Sequence, residues 1–530
     1  MFSHQLMNAF AKTGLFFTTA LLFCHATRGD FQDDIGLRAM RATASLDGSG
    51  IRLAQPEAGF GSATNWEVNP SAIWVLQPAG KFTYSSSSGT ATNYPNAVGS
   101  DSGHAEFNVG GFCYGLPFGI ATNLSHIDNY EANYFIDDIV VLASPIAAPL
   151  VNQSFVDPDT NDEVVLDAAY DDYAAQYGTL FISGVDNGGP VKPPSTCYNG
   201  IGAGAYQDYA NHTSIGPTPA GGRCKPDITA ISDSASTGTA LVSGAAALLL
   251  QAALRGDGGS DTNSTADLRT LKALLLNGAV KPVDWTNAGA SPLDARYGAG
   301  VVNILNSYEQ LAGGKHGVTI SNTVSLNAAH PPTGAMGDVG VLSGWNLATN
   351  ASGILNDSIH HYYFNVSNGV TSAKYTATAT LVWLRQQGMT DINNLDLFLY
   401  NCANSNLVAC STSQVDNVEH IWTTGLAPGR YDLQVWKAGG IGPVSLDETY
   451  ALAFEFVPQP VVSVSGGTNP CVTWPLYPAG YLVEARTNLL VGAWSTNGLP
   501  TVPVITNGLN SIPLGPANAL QFFRLRKPNL

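Results

Sequence analysis

A long apolar stretch near the middle of the chain constrains the fold most strongly. Residues 239–254 read TALVSGAAALLLQAAL, which predicts a long helix buried in the core. The chain has 530 residues, and 45% of them are hydrophobic, so a large core is available to receive this helix. A strand-like run, KPDITA, lies just before it, and a break rich in Ser, Thr and Gly separates the two. Ser236 lies in that break, at the predicted start of the helix.

The segments around this helix predict an α/β domain over residues 47–314. Near-continuous apolar runs alternate there with helical patterns; the runs lie at 50–57, 148–155 and 178–185, and the patterns at 163–177 and 266–279. Such alternation is typical of a parallel sheet flanked by helices.

The rest of the chain predicts all-β domains. Helical patterns vanish from residue 315 to 457, where alternating β-branched and aromatic runs lie between turn residues. These runs predict an antiparallel β-sandwich. A proline-marked linker then leads into residues 458–530, which predict a smaller β-rich module.

The amino terminus has the pattern of a secretory signal. Lys12 precedes the run TGLFFTTALLFCHA, which is too short to span a bilayer, and Ala26 suits the last residue before cleavage. We therefore expect a signal peptide over 1–26 and a short amino-terminal segment over 27–46. No later run of eighteen apolar residues follows, so no membrane-spanning segment is predicted. The expected location is secreted or extracellular, with the periplasm or the cell surface left open.

Charge and cysteine content exclude several classes of partner. Twenty-three basic residues against forty acidic ones give a net charge of −17, which argues against nucleic acid and anionic membranes. Six cysteines follow the predicted signal, and Cys402 and Cys410 are spaced to close a short loop. The sequence has no CxxC and no His/Cys cluster, so it predicts no zinc site.

Two residues have the chemistry of a nucleophile and its base. Ser236 would meet the free amides and positive dipole end of the apolar helix, which stabilise an oxyanion. The alternative is that Ser236 only caps this helix. His104, in SGHAEFNVGG, precedes a second small-residue helix and titrates in the range that general-base catalysis needs. The alternative there is a structural histidine.

Two further polar residues end predicted strands. Glu57 closes the run GIRLAQPE, where a carboxylate would face the crevice at the carboxyl edge of a parallel sheet. Asn187 follows the run at 178–185 and offers a side-chain donor to an oxyanion. The alternatives are a solvated strand-end glutamate and a plain Asn-Gly turn.

These segments resemble the subtilisin-like serine proteases, or subtilases, over about residues 45–314. KPDITA with SASTGTALVSGAAALLLQ is similar to the family's Lys-Pro-Asp strand and serine motif, while GIRLAQPEAG, SGHAEFNVGG and SGVDNGG resemble its acid, histidine and asparagine motifs. The resemblance implies that Ser236 is the nucleophile, His104 the base, Glu57 the orienting acid and Asn187 the oxyanion donor, in the subtilisin order.

Three departures from the family bear on activity, and the first is Ser234-Ala235 where Gly-Thr usually precedes the serine. Glu57 stands where the family has aspartate, and Val156 stands in the substrate-pairing segment where glycine is common. The resemblance implies a secreted serine endopeptidase that cleaves polypeptides through an acyl-enzyme and needs no cofactor for its chemistry. The alternatives are a catalytically weakened pseudoprotease and a surface-binding or adhesion protein with the same fold.

The β-rich half resembles the carboxy-terminal sandwich of some secreted subtilases. Asp391, Asp396 and Asp416 are candidate oxygen ligands for a structural Ca²⁺, although their spacing matches no defined calcium loop and solvated turn carboxylates are the alternative. The last module is a candidate for contact with a surface or a glycan.

Overall fold

The computed structural model describes residues 31–526, apart from 117, 208–209, 288–290, 368–373, 443, 466–469, 476–480, 489–493, 497–498, 501–502, 507–508 and 515–520. The predicted signal peptide, residues 1–26, therefore lies outside the described residues. No result below tests the domain boundaries expected from the sequence, and they stay predictions.

The amino-terminal half of the described chain forms a nine-stranded sheet. Its strands are β1 (Arg52–Glu57), β3 (Phe82–Ser86), β4 (Gly89–Ala91), β6 (His126–Glu131), β7 (Leu150–Gln153), β8 (Leu180–Gly184), β9 (Ile201–Gln207), β10 (Ala210–Asn211) and β11 (Ile228–Ile231). They run in the order β10-β9-β8-β7-β1-β6-β3-β4, with β11 also paired to β9. The central pairs are parallel, but β4 and β10 pair antiparallel at the edges. The predicted α/β class is confirmed, and its sheet is mixed.

Helices and a small sheet surround these strands. The α-helices are α1 (Phe31–Asp34), α2 (Leu37–Ala44), α3 (Ala132–Tyr134), α4 (Glu163–Tyr177), α5 (Ala235–Arg255), α6 (Thr262–Thr265), α7 (Leu268–Asn277) and α8 (Ile304–Ala312). Two π-helices span Ala105–Tyr114 and Phe135–Val141, and 3₁₀ turns span Ala79–Lys81 and Thr160–Asp162. Strands β2 (Asn65–Glu67) and β5 (Ser100–Asp101) form a separate parallel pair.

Helix α5 is the central element of this half. It is apolar on all sides because it is enclosed on all sides: in its most apolar eighteen-residue window, 89% of residues are buried. Among the helices of the described residues, α5 alone is long and apolar enough to cross a membrane. In this structure it is buried in the protein core. Its small residues allow close packing, since a Cβ on Gly238 would lie 2.4 Å from the carbonyl oxygen of Gly204.

The carboxy-terminal half is built from antiparallel sheets. One contains β12 (Ile320–Ser325), β14 (Asn356–Val366), β19 (Gly429–Lys437), β16 (Leu395–Asn401) and β17 (Asn406–Ser411); the other contains β13 (Ser343–Ala351), β20 (Asp447–Pro458), β15 (Tyr375–Trp383) and β18 (Val418–Leu426). Both sheets contribute to one hydrophobic core, as in a β-sandwich. The prediction of an all-β region is confirmed.

A smaller β-rich unit follows the two large sheets. Strands β21 (Ser463–Ser465), β22 (Cys471–Pro475), β25 (Leu509–Pro513) and β24 (Val504–Thr506) form one sheet, and β23 (Leu482–Arg486) pairs with β26 (Phe522–Arg526). A separate core that includes Trp474 and Val483 holds these strands together.

The cysteines Cys402 and Cys410 of the β-sandwich are both free thiols, so the short loop suggested by their spacing is not closed. The strand register places Cys410 opposite Phe398.

The two halves of the molecule share one core. Trp345, Val382 and Val418 of the antiparallel sheets, and Leu384 directly after β15, belong to the same buried cluster as the helices of the α/β half. The Trp345 indole N–H also donates to the carbonyl oxygen of Leu311 at 3.1 Å. The sandwich therefore packs directly against the α/β half.

Buried charges reinforce this junction. Arg223 pairs with Glu163 at 3.2 Å and more closely with Asp167, both on α4. Arg385, from the turn after β15, lies 3.2 Å from Asp171 on the same helix and donates to the carbonyl oxygen of Asp167 at 3.0 Å. These five residues are all at most 6% exposed, so a guanidinium from each half is neutralised where water does not reach.

Candidate active site

Three polar residues meet at the carboxyl edge of the central sheet. Glu57 is the last residue of β1, Ser154 follows β7, and Asn187 lies three residues beyond β8. Because β1, β7 and β8 run parallel and side by side, their carboxyl ends lie at one edge. This edge is where ligands bind in open α/β sheets.

His104 reaches this edge from a separate element. The β2–β5 pair places Ser100 and Asp101 beside the chain that follows β1, and the π-helix begins directly after His104. π-Helical turns are rare and often lie at functional sites. Asn108, one turn further on, donates from its side-chain amide to the carbonyl oxygen of His104 at 3.2 Å.

Ser236 is the second residue of α5, and it does not cap that helix. The cap is Ser234, whose hydroxyl oxygen accepts from the backbone N–H of Thr237 at 3.3 Å. The side chain of Ser236 is therefore left for other contacts, although the residue is only 9% exposed. A second link fixes the helix start, since the Thr237 hydroxyl donates to the Asn108 side-chain oxygen at 2.8 Å.

The structure brings Glu57, His104 and Ser236 into one hydrogen-bonded line. His104 Nδ1 lies 2.8 Å from Glu57 Oε1, and His104 Nε2 lies 3.1 Å from Ser236 Oγ. A carboxylate only accepts hydrogen bonds, so Nδ1 carries the proton and Nε2 presents its lone pair to the serine. This arrangement can take a proton from Ser236 while the carboxylate stabilises the imidazolium that forms.

Burial and charge act in opposite senses on the histidine. Burial lowers the pKa of His104, but the negative charge of Glu57 and its hydrogen bond outweigh that effect and raise the pKa above its ordinary value of 6.5. Glu57 is 1% exposed, and its second oxygen, Oε2, has no hydrogen-bond partner among the described residues. The hydrogen bond of the buried Glu57 carboxylate in this site is therefore the one to the His104 imidazole.

Asn187 lies beside the serine and is exposed at the surface. Its side-chain oxygen accepts from the backbone N–H of Ala235 at 2.8 Å, one residue before Ser236. With Oδ1 held there, the Nδ2 group is the end of the amide left to donate. Asp186 supports this turn in a left-handed conformation, with φ at 91°, and pairs with Lys192 at 2.7 Å.

Sequence reasoning missed three contributors to the site. Ser154 contacts Ser236 twice: its carbonyl oxygen lies 3.3 Å from Ser236 Oγ, and its own hydroxyl donates to the Ser236 carbonyl at 3.1 Å. Asn108 joins the histidine and serine helices, and its position four residues after His104 was the available signal. Phe60 stacks on the His104 ring, and nothing in the sequence pattern indicates it.

Val156, which the sequence analysis singled out in the substrate-pairing segment, lies two residues after Ser154 and is half-buried.

The described residues contain no group of three or more His, Cys, Asp or Glu side chains that could hold a metal ion. Asp416 accepts instead from the backbone N–H of Cys224 at 2.8 Å and from the Ser413 hydroxyl at 2.7 Å, while Asp396 is buried and Asp391 exposed. The calcium site expected near these aspartates stays a prediction without a location.

No family model matches the chain, and neither does any curated protein. Among solved structures it is similar to the self-cleaved protease domain of PatA, at 20% identity over 51% of this chain and 99% of that one, with a TM-score of 0.36. It is also similar to MycP1 from Mycobacterium smegmatis, at 16% identity over 53% of this chain and 85% of that one, with a TM-score of 0.35. Tripeptidyl peptidase 2 is similar at 13% identity over 74% of this chain and 43% of that one, with a TM-score of 0.32. At such low identity and TM-score these likenesses do not bear on the chemistry, and only the geometry above does.

Proposed function

We propose that the chain is a subtilisin-like serine endopeptidase that hydrolyses peptide bonds with Ser236, His104 and Glu57. The observation that carries this proposal is the continuous hydrogen-bonded line from the Glu57 carboxylate through His104 to the Ser236 hydroxyl. The motif resemblance supports the same assignment, with the same three residues in the same chain order.

In the proposed reaction His104 Nε2 takes the proton from Ser236 as the serine oxygen forms a bond to the peptide carbonyl carbon. The carbonyl oxygen then carries a negative charge, which the Asn187 side-chain amide and the backbone N–H of Ser236 stabilise. The C–N bond breaks as His104 returns the proton to the leaving amine. Water then loses a proton to His104 as its oxygen bonds to the acyl carbon. The bond from that carbon to the Ser236 oxygen breaks, and His104 returns the proton to the serine oxygen, which releases the carboxylic acid.

Fluorophosphonate labelling tests this assignment directly. Such a probe reacts with a serine only when a base activates it, so we expect labelling of the wild type and loss of labelling in Ser236→Ala and His104→Ala. Hydrolysis of a quenched casein substrate should disappear in the same two variants. The matched control is Ser232→Ala, four residues earlier and outside the hydrogen-bonded line, which should label and cleave like the wild type. Unchanged hydrolysis in Ser236→Ala would contradict the proposal.

The proposal includes export from the cytoplasm and polypeptide substrates met there. The apolar segment ahead of Ala26 supports export. Intact-mass measurement of the secreted protein should give an amino terminus at Thr27, and retention of residues 1–26 would contradict export by cleavage.

A further inference from the structure

An exposed aromatic ring covers one face of the catalytic imidazole in the proposed site. The Phe60 ring lies over the His104 ring with a centroid separation of 5.5 Å and an interplanar angle of 20°. Phe60 is nevertheless 54% exposed. Isolated exposed apolar side chains are ordinary on protein surfaces, so exposure alone has no meaning here. The position of Phe60 against the general base is the informative observation.

The loop that presents Phe60 is tightly built. A Cβ on Gly59 would lie 2.5 Å from the carbonyl oxygen of Ser62, so the turn closes too sharply for any side chain there. The backbone N–H of Phe60 donates to the carbonyl oxygen of Asn65 at 3.0 Å. Asn65 belongs to β2, so this bond fixes the loop to a strand.

Strand β2 also holds the segment of chain that leads to His104. Its partner β5 ends at Asp101, three residues before His104, and the Ser100 hydroxyl donates to the Asn65 side-chain oxygen at 2.8 Å. Phe60 and His104 are therefore held from opposite strands of one small sheet. The backbone on either side of the stacked rings is therefore tied to the same small sheet.

The edges of the imidazole are already occupied. Nδ1 bonds Glu57 and Nε2 bonds Ser236, so Phe60 can act on this ring only through its face. Aromatic stacking restricts rotation of the imidazole plane without competing for either nitrogen. Phe60 is 54% exposed and stacks on the ring whose Nε2 bonds Ser236, so a peptide bound for attack by Ser236 would pass close to it.

We propose that Phe60 is a specificity-determining residue of this site. It would pack against an apolar side chain of the substrate next to the bond that Ser236 attacks, and would hold the His104 ring in plane. This inference rests on the proposed function. Covering the exposed part of a phenylalanine gives roughly a tenfold preference for an apolar over a polar side chain at that substrate position.

Position-resolved cleavage of a peptide library tests the inference. The wild type should prefer Leu or Phe over Ser or Glu about tenfold at one position flanking the cleaved bond. Phe60→Ala should lose this preference, and its kcat should also fall because the imidazole is less well held. Phe60→Leu should retain part of the preference, and Phe60→Trp most of it. The matched control is Ile73→Ala, which removes another exposed apolar side chain, 70% exposed, and should leave the preference unchanged.

The outcomes separate this inference from the proposed function. A wild type that neither labels with fluorophosphonate nor cleaves peptides overturns both. A wild type that labels and cleaves, with the same flanking preference in Phe60→Ala, overturns the role of Phe60 alone. Circular dichroism of each variant excludes misfolding, and Phe60→Leu provides the decisive comparison if Phe60→Ala fails to fold.

Discussion

At the residue scale, Glu57 lies at the end of β1, in the segment that resembles the subtilase acid motif, where that motif has aspartate. Its longer side chain still reaches His104 Nδ1 at 2.8 Å, so the additional methylene does not break the line. The proposed function is therefore compatible with glutamate at this position. Its effect should be visible in how the histidine titrates.

The pH dependence of activity reports on this pair. Only neutral His104 can accept the serine proton, so kcat/KM should rise with pH through the histidine pKa, which Glu57 raises above 6.5. Glu57→Gln removes the charge that raises this pKa and leaves the burial that lowers it, so the midpoint of the acid limb should move to lower pH. The maximal rate should also fall by several orders of magnitude, because glutamine favours the wrong tautomer.

The measurement is kcat/KM across the acid limb and the neutral range for the wild type, Glu57→Gln and Glu57→Asp. We expect Glu57→Asp to keep a high midpoint and lose less rate than Glu57→Gln. Equal losses in both variants, with no change of midpoint, would mean that Glu57 does not orient His104.

Asn187 gives the second prediction at this scale. Asn187→Ala should lower kcat about 10²–10³-fold with little change in KM, because an oxyanion donor acts mainly in the transition state. Asn187→Asp keeps the oxygen that accepts from the N–H of Ala235 but has no donor, so it separates the two roles of the amide. We expect Asn187→Asp to be as slow as Asn187→Ala. Wild-type turnover in Asn187→Asp would exclude the oxyanion role.

At the element scale, the placement of Ser236 depends on how closely α5 approaches β9. A Cβ on Gly238 would meet the backbone of Gly204 at 2.4 Å, and backbone cannot move aside as a side chain can. Gly238→Ala should therefore displace the first turn of α5, which carries Ser236. We expect a loss of about 1–3 kcal/mol in the free energy of unfolding, measured by urea denaturation, and a larger loss of fluorophosphonate labelling.

Gly80→Ala is the matched control for this substitution. A Cβ on Gly80 meets no atom within 4 Å, so stability and labelling should both stay as in the wild type. If Gly238→Ala labels at the wild-type rate, the close contact with β9 does not determine the position of the serine.

Elements with a strong apolar pattern could be predicted from the sequence, and those held by polar contacts could not. The pattern at 163–177 matches α4 residue for residue, and β1, β7 and β8 fall within their predicted runs. Strand β6 reads HIDNYE and has no such pattern, although it lies beside β1. It is stabilised by side-chain hydrogen bonds: Asn129 donates to the carbonyl oxygen of Gln55 at 2.9 Å and accepts from the N–H of Val68 at 2.8 Å.

The candidate site likewise has residues that the sequence pattern indicates and features that depend on tertiary contacts. Glu57, His104, Asn187 and Ser236 each follow a pattern that marks the end or start of an element, so the amino-acid sequence is enough to propose them. Their convergence is not predictable in this way, since it depends on strand order. Phe60 has no marker because its role comes from contact with His104 across a turn.

At the scale of the whole molecule, the core shared by the two large regions predicts that they unfold as one cooperative unit. Arg385→Ala removes the guanidinium that neutralises buried Asp171, and breaking a buried pair costs about 3–5 kcal/mol. We expect a single calorimetric transition that moves to lower temperature as a whole, with labelling of Ser236 lost at the same temperature. Two separate transitions would show that the sandwich and the α/β region unfold independently.

The control is Arg38→Ala. Arg38 also pairs with an aspartate, Asp33 at 2.6 Å, but both side chains are about half exposed. An exposed pair contributes little, so the transition temperature should not change measurably.

The common core also has a consequence for biosynthesis. A ribosome completes the α/β half first, when the partners of its buried face, such as Trp345 and Arg385, have not yet been made. Until the sandwich emerges, that half lacks part of its interior. We therefore expect α5, which carries Ser236, to reach its final packing only after the sandwich has been made.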